Sequence, residues 1–236
     1  MKIKAKILLD YIQKVSLNSS IMMLNLNFTD DGVKTAVSGT SNVAMTMGML
    51  KQRAFEDYNP IGEVFIKNSR FLLDVLKTFD ENIEIEKVDE FTLKLFTDKR
   101  EVYNLLADES ICENVYKKGR PDIKTAVSLV LDKSYMSNII KDMKLLTMNT
   151  VTIKKEGDKL VFQVGKENEY DYAKNIIICD TEGDAKVDIG EMIIPFSESV
   201  TDKFTLSFGN DMPIVLEEKT EYMEVTTYIA PIIEGD

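Results

Sequence analysis

Short runs in which apolar and polar residues alternate make up most of the chain, and they predict β-strands. Leu24, Leu26 and Phe28 alternate with asparagines, and Ile83 and Ile85 alternate with glutamates. The first of these runs leads through the turn TDDG into a second run, VKTAV. Period-two alternation is typical of a strand with one buried face and one exposed face. The chain is therefore predicted to be largely β.

Only a few segments have the apolar spacing of three and four residues that predicts an amphipathic helix. Three of them are centred on Leu8–Val15, Leu72–Phe79 and Met136–Met143. A fourth candidate, GEMIIPFSESV, contains Pro195, which we expect to kink or shorten it because proline removes a backbone hydrogen bond.

The order of these elements repeats along the chain, with a polar segment around Gly119 and Pro121 between the copies. We predict a first domain at 1–110, a linker at 111–124 and a second domain at 125–236. Each would have about eight strands and two helices, and so few helices cover only one face of antiparallel sheets. The predicted class is α+β, with two similar domains in tandem. Loosely matching element strings also occur in unduplicated α+β proteins.

Composition excludes several classes of enzyme. The 236-residue chain has no histidine, which removes imidazole bases and nucleophiles activated by histidine. Glycine-rich phosphate loops are also absent. Two cysteines, Cys112 and Cys179, fit neither a disulfide framework nor a zinc site. A carboxylate-dependent hydrolase stays open, as does calcium binding by the acidic loop Asp180–Asp188, although an ordinary inter-strand loop explains that loop as well.

Localisation and charge narrow the choice further. The start of the chain lacks the apolar core and cleavage site of a secretory signal, and no apolar run is long enough to span a bilayer, so we expect an intracellular protein. The net charge of −11 would repel nucleic acid from most of the surface. Any DNA contact must therefore come from a local basic stripe.

Basic residues lie opposite the apolar stripe on each of the first three predicted helices. They are Lys6, Lys14, Lys67, Arg70, Lys77, Lys133, Lys141 and Lys144. Solvated helix faces with ion pairs three or four residues apart give the same pattern. The fourth candidate helix has no basic residue, and we expect it to contribute little to DNA contact.

The C-terminal run FTLSFGNDMPIVLEEKTEYMEVTTYIAPIIE resembles the end of DNA sliding clamps of the proliferating cell nuclear antigen (PCNA) type. Its Met212–Pro213 pair and its final Tyr228–Pro231 strand carry the resemblance. The duplicated domain, the mid-chain linker, the segment DDGVKTAVSGTSNVAM and the length match the same family, so the resemblance covers essentially the whole chain. The chain looks like a divergent archaeal or viral member.

This resemblance implies the DNA clamp fold, with antiparallel sheets outside and helices lining a ring. It implies a head-to-tail homotrimer, in which Glu101–Ala107 of one subunit pairs with Glu169–Ile178 of the next. The implied function is that of a processivity factor that encircles duplex DNA without sequence preference. It tethers a DNA polymerase and other replication and repair proteins, and it performs no catalysis and uses no cofactor or metal. No membrane contact is implied, and the compartment would be the cytoplasm for an archaeal protein, or the host cell and its nucleus for a viral or eukaryotic one.

The resemblance also assigns sites. The basic residues named above would face DNA, and a clamp loader would place the ring on it. Clients with PIP-type peptides would bind a pocket formed by Ser38, Gly39, Val115, Tyr116, Pro121, Pro213, Tyr228, Ala230 and Pro231. Several of these residues would serve equally well to finish a sheet, and the small Ser38 and Gly39 predict a shallower pocket than usual. An alternative function is a monomeric DNA-binding processivity subunit or an interaction scaffold.

Overall fold

The computed structural model describes residues 1–39, 41–111, 119–167 and 171–233. The chain folds as two units. The first comprises Met1–Ser41, Met45–Arg120 and Lys219–Val225, and the second comprises Asn42–Ala44, Pro121–Glu218 and Thr226–Asp236. The domain limits predicted from the sequence stay a prediction, because half of the predicted linker lies outside the described residues.

The first half of the chain contains nine strands and two helices within the described residues. They are β1 (Lys2–Lys4), α1 (Ala5–Val15), β2 (Leu24–Thr29), β3 (Gly32–Ser38), β4 (Ala44–Lys51), β5 (Phe55–Asp57), β6 (Gly62–Ile66), α2 (Ser69–Leu76), β7 (Asn82–Asp89), β8 (Thr92–Phe96) and β9 (Glu101–Leu105).

The second half contains eight strands and two helices within its described part. They are β10 (Val127–Asp132), α3 (Lys133–Leu145), β11 (Val151–Glu156), β12 (Lys159–Val164), β13 (Ala173–Ile178), β14 (Ala185–Ile189), α4 (Ile193–Ser199), β15 (Lys203–Phe208), β16 (Ile214–Lys219) and β17 (Met223–Ile229). Among the described residues, no helix has the length and apolar character needed to cross a bilayer.

The two halves order their strands in the same way. The first half has the sheet β5-β1-β7-β8-β9 and the strand run β4-β3-β2-β6. The second half has the strand run β10-β15-β16-β17 and the sheet β13-β12-β11-β14. Apart from β5, each strand of one half has a counterpart at the same place in the other, and neighbours such as β2 and β3 or β11 and β12 run antiparallel. The predicted α+β class and the internal repeat are therefore confirmed.

The predicted TDDG turn forms the hairpin between β2 and β3, where Thr29 pairs with Gly32. Gly32 has a φ of +131°, and a Cβ at this position would lie 2.1 Å from the carbonyl oxygen of Leu50. Any other residue would clash with the backbone of the neighbouring strand, so the sequence signal at this turn has a steric cause.

The predicted apolar stripes form the cores of the two units. In the first unit α1 packs against α2, and Leu8, Ile12 and Val15 are almost fully buried. In the second unit α3 buries Met136 and Ile139. Burying a side chain of this size contributes about 1.5–3 kcal/mol. These contacts fix which face of each helix is left for solvent.

Helix α4 differs from its prediction. The predicted segment began at Gly190, whereas α4 begins at Ile193 and ends at Ser199. Pro195 therefore lies in the first turn, where backbone N–H groups have no partner within a helix and proline is tolerated. The helix is shorter than predicted, and Pro195 does not interrupt its interior.

Candidate functional site

Helix α1 presents one of its two predicted DNA-facing lysines to solvent. Lys6 is exposed. The side chain of Lys14 is 1% exposed, and its ammonium lies 3.7 Å from the carboxylate of Asp10, one turn earlier. The expectation that Lys14 faces DNA is therefore wrong for this conformation, because a buried, ion-paired ammonium is not available to a phosphate.

Around α2, all three predicted basic residues are exposed. The helix begins after Asn68, whose side-chain oxygen accepts a hydrogen bond from the N–H of Phe71 at 3.0 Å. Lys67 and Arg70 flank this cap and have no ion pair within the described part of the chain. Lys77 ends the helix and lies 3.1 Å from the carboxylate of Asp74, so its charge is partly compensated.

Helix α3 carries the least compensated basic face. Lys141 and Lys144 are exposed, and Lys133 is half-buried. The one acidic residue of this helix, Asp142, accepts a hydrogen bond from the side-chain amide of Asn175 in β13 at 2.7 Å. Its carboxylate is therefore held against the sheet, and the three lysines have no ion pair among the residues that the structure describes.

Six of the eight predicted DNA-contact residues thus keep an uncompensated charge in the described structure. They are Lys6, Lys67, Arg70, Lys133, Lys141 and Lys144. Elsewhere on the surface many lysines are matched to carboxylates, for example Lys51 to Glu224 at 2.7 Å and Lys154 to Glu156 at 2.6 Å. Free cations on a helix surface are able to make weak contacts with phosphate without reading a base sequence.

Strand β9 is the last strand of its sheet, and it exposes apolar side chains. Tyr103 is 53% exposed and Leu105 is 70% exposed. The carboxylate of Glu101 lies 2.6 Å from the ammonium of Lys94 and accepts a hydrogen bond from the hydroxyl of Tyr103 at 2.8 Å. The bond from Lys94 holds the pKa of Glu101 below its usual range, so this residue stays charged.

Strand β13 is the last strand of the sheet β13-β12-β11-β14 in the second half, and like β9 it exposes apolar side chains. Ile176 is 56% exposed and Ile178 is 64% exposed. Lys174 lies 2.5 Å from Glu167, and its ammonium is 5.3 Å from the centre of the Tyr172 ring. The bond from Lys174 lowers the pKa of Glu167. Glu169, the predicted start of this edge, lies outside the described residues.

Both edges therefore carry a cluster of one lysine, one glutamate and one tyrosine. We name them the β9 cluster (Lys94, Glu101, Tyr103) and the β13 cluster (Glu167, Lys174, Tyr172). The resemblance to sliding clamps implied these edges, but no sequence pattern indicated the clusters. In the β13 cluster the acidic residue comes from the segment before the strand, and that proximity has no periodic signal in the sequence.

The predicted client-pocket residues are placed as follows. In the second unit Tyr228 is 5% exposed, and Pro213, Ala230 and Pro231 are half-buried. The N–H of Ala230 donates to the carbonyl of Val43 at 2.8 Å. Pro121 is also half-buried, and Ser38 and Gly39 of the first unit are half-exposed. Val115 and Tyr116 lie outside the described residues.

The acidic loop around Asp184 does not assemble a cation site in the described chain. Asp184 accepts a hydrogen bond from the N–H of Gly157 at 3.0 Å, and Asp188 accepts one from the hydroxyl of Thr152. Among the described residues there is no group of three or more acidic or cysteine side chains placed to hold a metal ion. These carboxylates act as structural acceptors between strands.

Comparison with known proteins shows what this fold is similar to. No protein-family model and no curated protein matches the chain. Solved structures match it over its whole length. The PCNA of A. fulgidus, bound to the C-terminal region of FEN-1, is 18% identical with a TM-score of 0.83 and covers 100% of this chain and 98% of its own.

Two further PCNA structures give the same result. That of Entamoeba histolytica is 18% identical with a TM-score of 0.82 and 98% coverage of both chains. That of Thermococcus kodakaraensis is 20% identical with a TM-score of 0.81, and covers 98% of this chain and 99% of its own. The chain has the two-domain clamp fold of these PCNA structures.

Proposed function

We propose that this chain is the subunit of a DNA sliding clamp, a processivity factor that encircles duplex DNA as a ring. Copies join through their open sheet edges, and the closed ring tethers a DNA polymerase and other replication and repair proteins. The observation that carries the proposal is that each chain leaves two complementary strand edges, β9 and β13, without a neighbour in its described part.

The internal repeat explains why these edges fit each other. Strands β4 and β13 hold the same place in the two halves. In the first unit the end of β4 is paired, since the N–H of Lys51 donates to the carbonyl of Tyr222 at 2.8 Å, at the entry to β17. Strand β17 is the counterpart of β9. A second copy that offers β9 to β13 repeats this arrangement, and head-to-tail contacts of this kind close into rings.

Pairing would also remove a hazard. Exposed strand edges with apolar side chains, such as Leu105 on β9 and Ile178 on β13, promote unspecific aggregation. A ring covers both edges of every subunit. A homotrimer is the form that we propose, and the heteromeric PCNA2–PCNA3 complex of Sulfolobus tokodaii, a 20% identical structure, is a precedent for clamp chains that join one another.

The charge distribution supports retention by encirclement. With a net charge of −11, the protein is unsuited to gripping DNA over a large surface. The uncompensated cations of α1, α2 and α3 are few, and they give weak, sequence-independent contacts that permit sliding. Mechanical enclosure, with a clamp loader to open the ring, supplies the persistence that adhesion does not.

The ring acts as a tether and not as a catalyst. A polymerase held on it has a raised effective concentration at the primer end. We propose that PIP-type peptides of clients bind at Ser38, Gly39, Val115, Tyr116, Pro121, Pro213, Tyr228, Ala230 and Pro231. That the similar PCNA of A. fulgidus is bound to the C-terminal region of FEN-1 supports peptide binding by a clamp of this fold. Such a clamp works inside the cell.

The decisive experiment is light scattering after size exclusion, followed by negative-stain imaging. Three chains of 26.8 kDa each give a particle of about 80 kDa with a central hole. Clamps loaded on nicked circular DNA should stay bound in high salt and leave when the circle is cut. A strict monomer that binds linear DNA tightly would contradict the proposal and favour a monomeric processivity subunit.

A further inference from the structure

Strand β13 occupies in the second half the place that β4 occupies in the first, and the two correspond residue by residue. Lys51 of β4 pairs with Gly32, the first residue after the β2–β3 turn. Ile178 of β13 pairs with Lys159, the first residue after the β11–β12 turn. Ile178 is therefore the counterpart of Lys51.

Strands β9 and β17 also correspond residue by residue. The segment after β9 bonds to β6, and the segment after β17 bonds to β14, which is the counterpart of β6. The N–H of Ala107 donates to the carbonyl of Phe65 in β6 at 2.8 Å. The N–H of Ile232 donates to the carbonyl of Asp188 in β14 at 2.7 Å. Ile232 is therefore the counterpart of Ala107.

The backbone bond from Lys51 to Tyr222 sets a register that can be transferred to these counterparts. Lys174 lies four residues before Ile178, so it corresponds to the β4 residue that lies four before Lys51. Glu101 is the counterpart of the residue that follows Tyr222 by four. In the same antiparallel register, β9 of one copy beside β13 of another places Glu101 opposite Lys174.

The free backbone groups of the two edges agree with this register. In an antiparallel pair, alternate residues direct their N–H and C=O groups to the same neighbour. The carbonyl of Arg100 accepts a hydrogen bond from the N–H of Thr97 within its own hairpin at 2.8 Å. The backbone groups of the next residue, Glu101, therefore point to the open edge of the sheet. The N–H of Cys179 donates to the carbonyl of Asp158 in its own sheet at 2.9 Å. Lys174 lies an odd number of residues (five) earlier, so its backbone groups also point to the open edge.

The side chains at these positions are complementary. Lys94, Glu101, Lys174 and Glu167 would form a row of alternating charge across the joint, since Glu101 already holds Lys94 at 2.6 Å and Lys174 already holds Glu167 at 2.5 Å. The same register sets Tyr172 opposite Tyr103. Opposite charges and aromatic pairs that face each other directly are the favourable cross-strand combinations.

We infer that a second copy of this chain docks its β9 on β13 in this one register, and that the pairs Glu101–Lys174 and Tyr103–Tyr172 determine which edges join. The inference rests on the ring proposed above and adds to it the register and the residues that give specificity. An edge with the same charge at the facing position would be disfavoured, because like charges would then lie opposite each other.

Charge exchange tests the pairing. The variants are Glu101→Lys, Lys174→Glu and the double exchange, with Lys186→Glu as the matched control. Lys186 lies on β14, the other edge of the same sheet, and is also ion-paired, 3.4 Å from Asp188. Sedimentation over a dilution series measures assembly, and circular dichroism checks that each variant is folded.

Each single exchange should weaken the trimer by about tenfold or more, because like charges then meet across the joint. The double exchange should recover most of that loss, and the control should assemble like the wild type. A fluorescently labelled double exchange should also fail to enter wild-type rings, since both of its mixed joints bring like charges together.

The opposite results separate this inference from the proposed function. If the wild type forms rings and the folded single variants assemble equally well, or the double variant loses as much as both singles together, the register is wrong while the clamp stands. If the wild type stays monomeric at every concentration, the clamp proposal fails and the pairing fails with it.

Discussion

At the scale of single residues, Gly48 is a position where side-chain volume decides stability. A Cβ there would lie 2.6 Å from Cγ1 of Val15 and 3.0 Å from the ring and hydroxyl of Tyr11. Tyr11 is fully buried, and its hydroxyl donates to Thr35 at 2.8 Å. Displacing this ring would strain a buried hydrogen bond as well as the packing.

We expect Gly48→Ala to lower the free energy of unfolding by about 1–3 kcal/mol, the range for overpacking a filled core. Urea denaturation followed by circular dichroism measures it. Gly190→Ala is the control, since its Cβ would lie an ordinary 3.5 Å from Ile232, and it should change stability by less than about 0.5 kcal/mol. Equal effects of the two substitutions would contradict the steric account.

Residue-level expectations from the sequence succeeded where local geometry decides. Gly32 is an example, because the turn needs a residue without a Cβ at a positive φ. Lys14 is the opposite case. Its helical position suggested an exposed cation, but exposure depends on neighbours that come from distant parts of the chain, and the pattern of one helix does not contain that information.

At the scale of elements, the basic face of α3 yields a prediction about DNA. Reversing Lys133, Lys141 and Lys144 together to Glu should reduce loading and sliding while leaving the trimer intact. The reason is that α3 has no compensating carboxylate among the described residues once Asp142 is bonded to Asn175. The yield of loading onto nicked circular DNA at increasing salt measures the effect, which should appear as a lower yield with a weaker salt dependence.

The control carries the same change in total charge. Lys154, Lys159 and Lys186 lie on strands of the same unit and are exposed, so their joint replacement by Glu makes the protein equally more acidic without touching α3. Normal loading of the strand variant with impaired loading of the helix variant is expected. Equal impairment of both would show that total charge, and not the face of α3, governs DNA contact.

The segment after β17 gives a second element-scale prediction. It is held by backbone bonds from Ala230 to Val43 and from Ile232 to Asp188, so a side chain added there cannot move away easily. We expect Ala230→Arg to weaken binding of a peptide from the C-terminal region of FEN-1 by about tenfold or more, by filling the proposed client pocket.

Fluorescence titration measures this affinity. Ile233→Arg is the control, because Ile233 is 74% exposed and its replacement should leave the peptide affinity unchanged. Unchanged binding by a folded Ala230→Arg variant would remove Ala230 from the proposed pocket.

The long periodic elements could be predicted from the sequence, and the short ones could not. Helices α1, α2 and α3 have buried stripes that a 3.6-residue period reveals, and all three were predicted. Strand β5 has only three residues, too few to show an alternating pattern, and it is defined by pairing with β1. Helix α4 was predicted too long because its apolar residues continue beyond its hydrogen-bonded turns.

At the scale of the whole molecule, the order of elements predicted the repeat and the resemblance to clamps implied the two edges, whereas the match between the edges required the register. A register depends on which backbone groups are already used inside each sheet, and single-residue patterns do not report that. The structure shows the register at Lys51 and Tyr222, and the internal repeat allows the same register to be applied to the joint between copies.

The charged joint also predicts how assembly responds to pH. Hydrogen bonds from Lys94 and then Tyr103 lower the pKa of Glu101. Both bonds lie within one chain, so the free subunit already has this lowered pKa, and pairing with Lys174 would lower it further. The contribution of Glu101 to assembly is then complete above the pKa of the free subunit and is lost as the pH falls through the still lower pKa of the trimer. Acidification also reduces the repulsion between acidic subunits, so the wild type alone would show two opposed effects.

Comparison with Glu101→Gln separates these effects, since that variant changes the overall charge little and has no carboxylate to titrate at this position. We expect its trimer to be weaker than the wild type at neutral pH. The difference between the two dissociation curves should stay constant down to the ordinary carboxylate range and vanish only at more acidic pH. A difference that disappears near neutrality, or that persists in strong acid, would mean that the charge of Glu101 does not hold the joint.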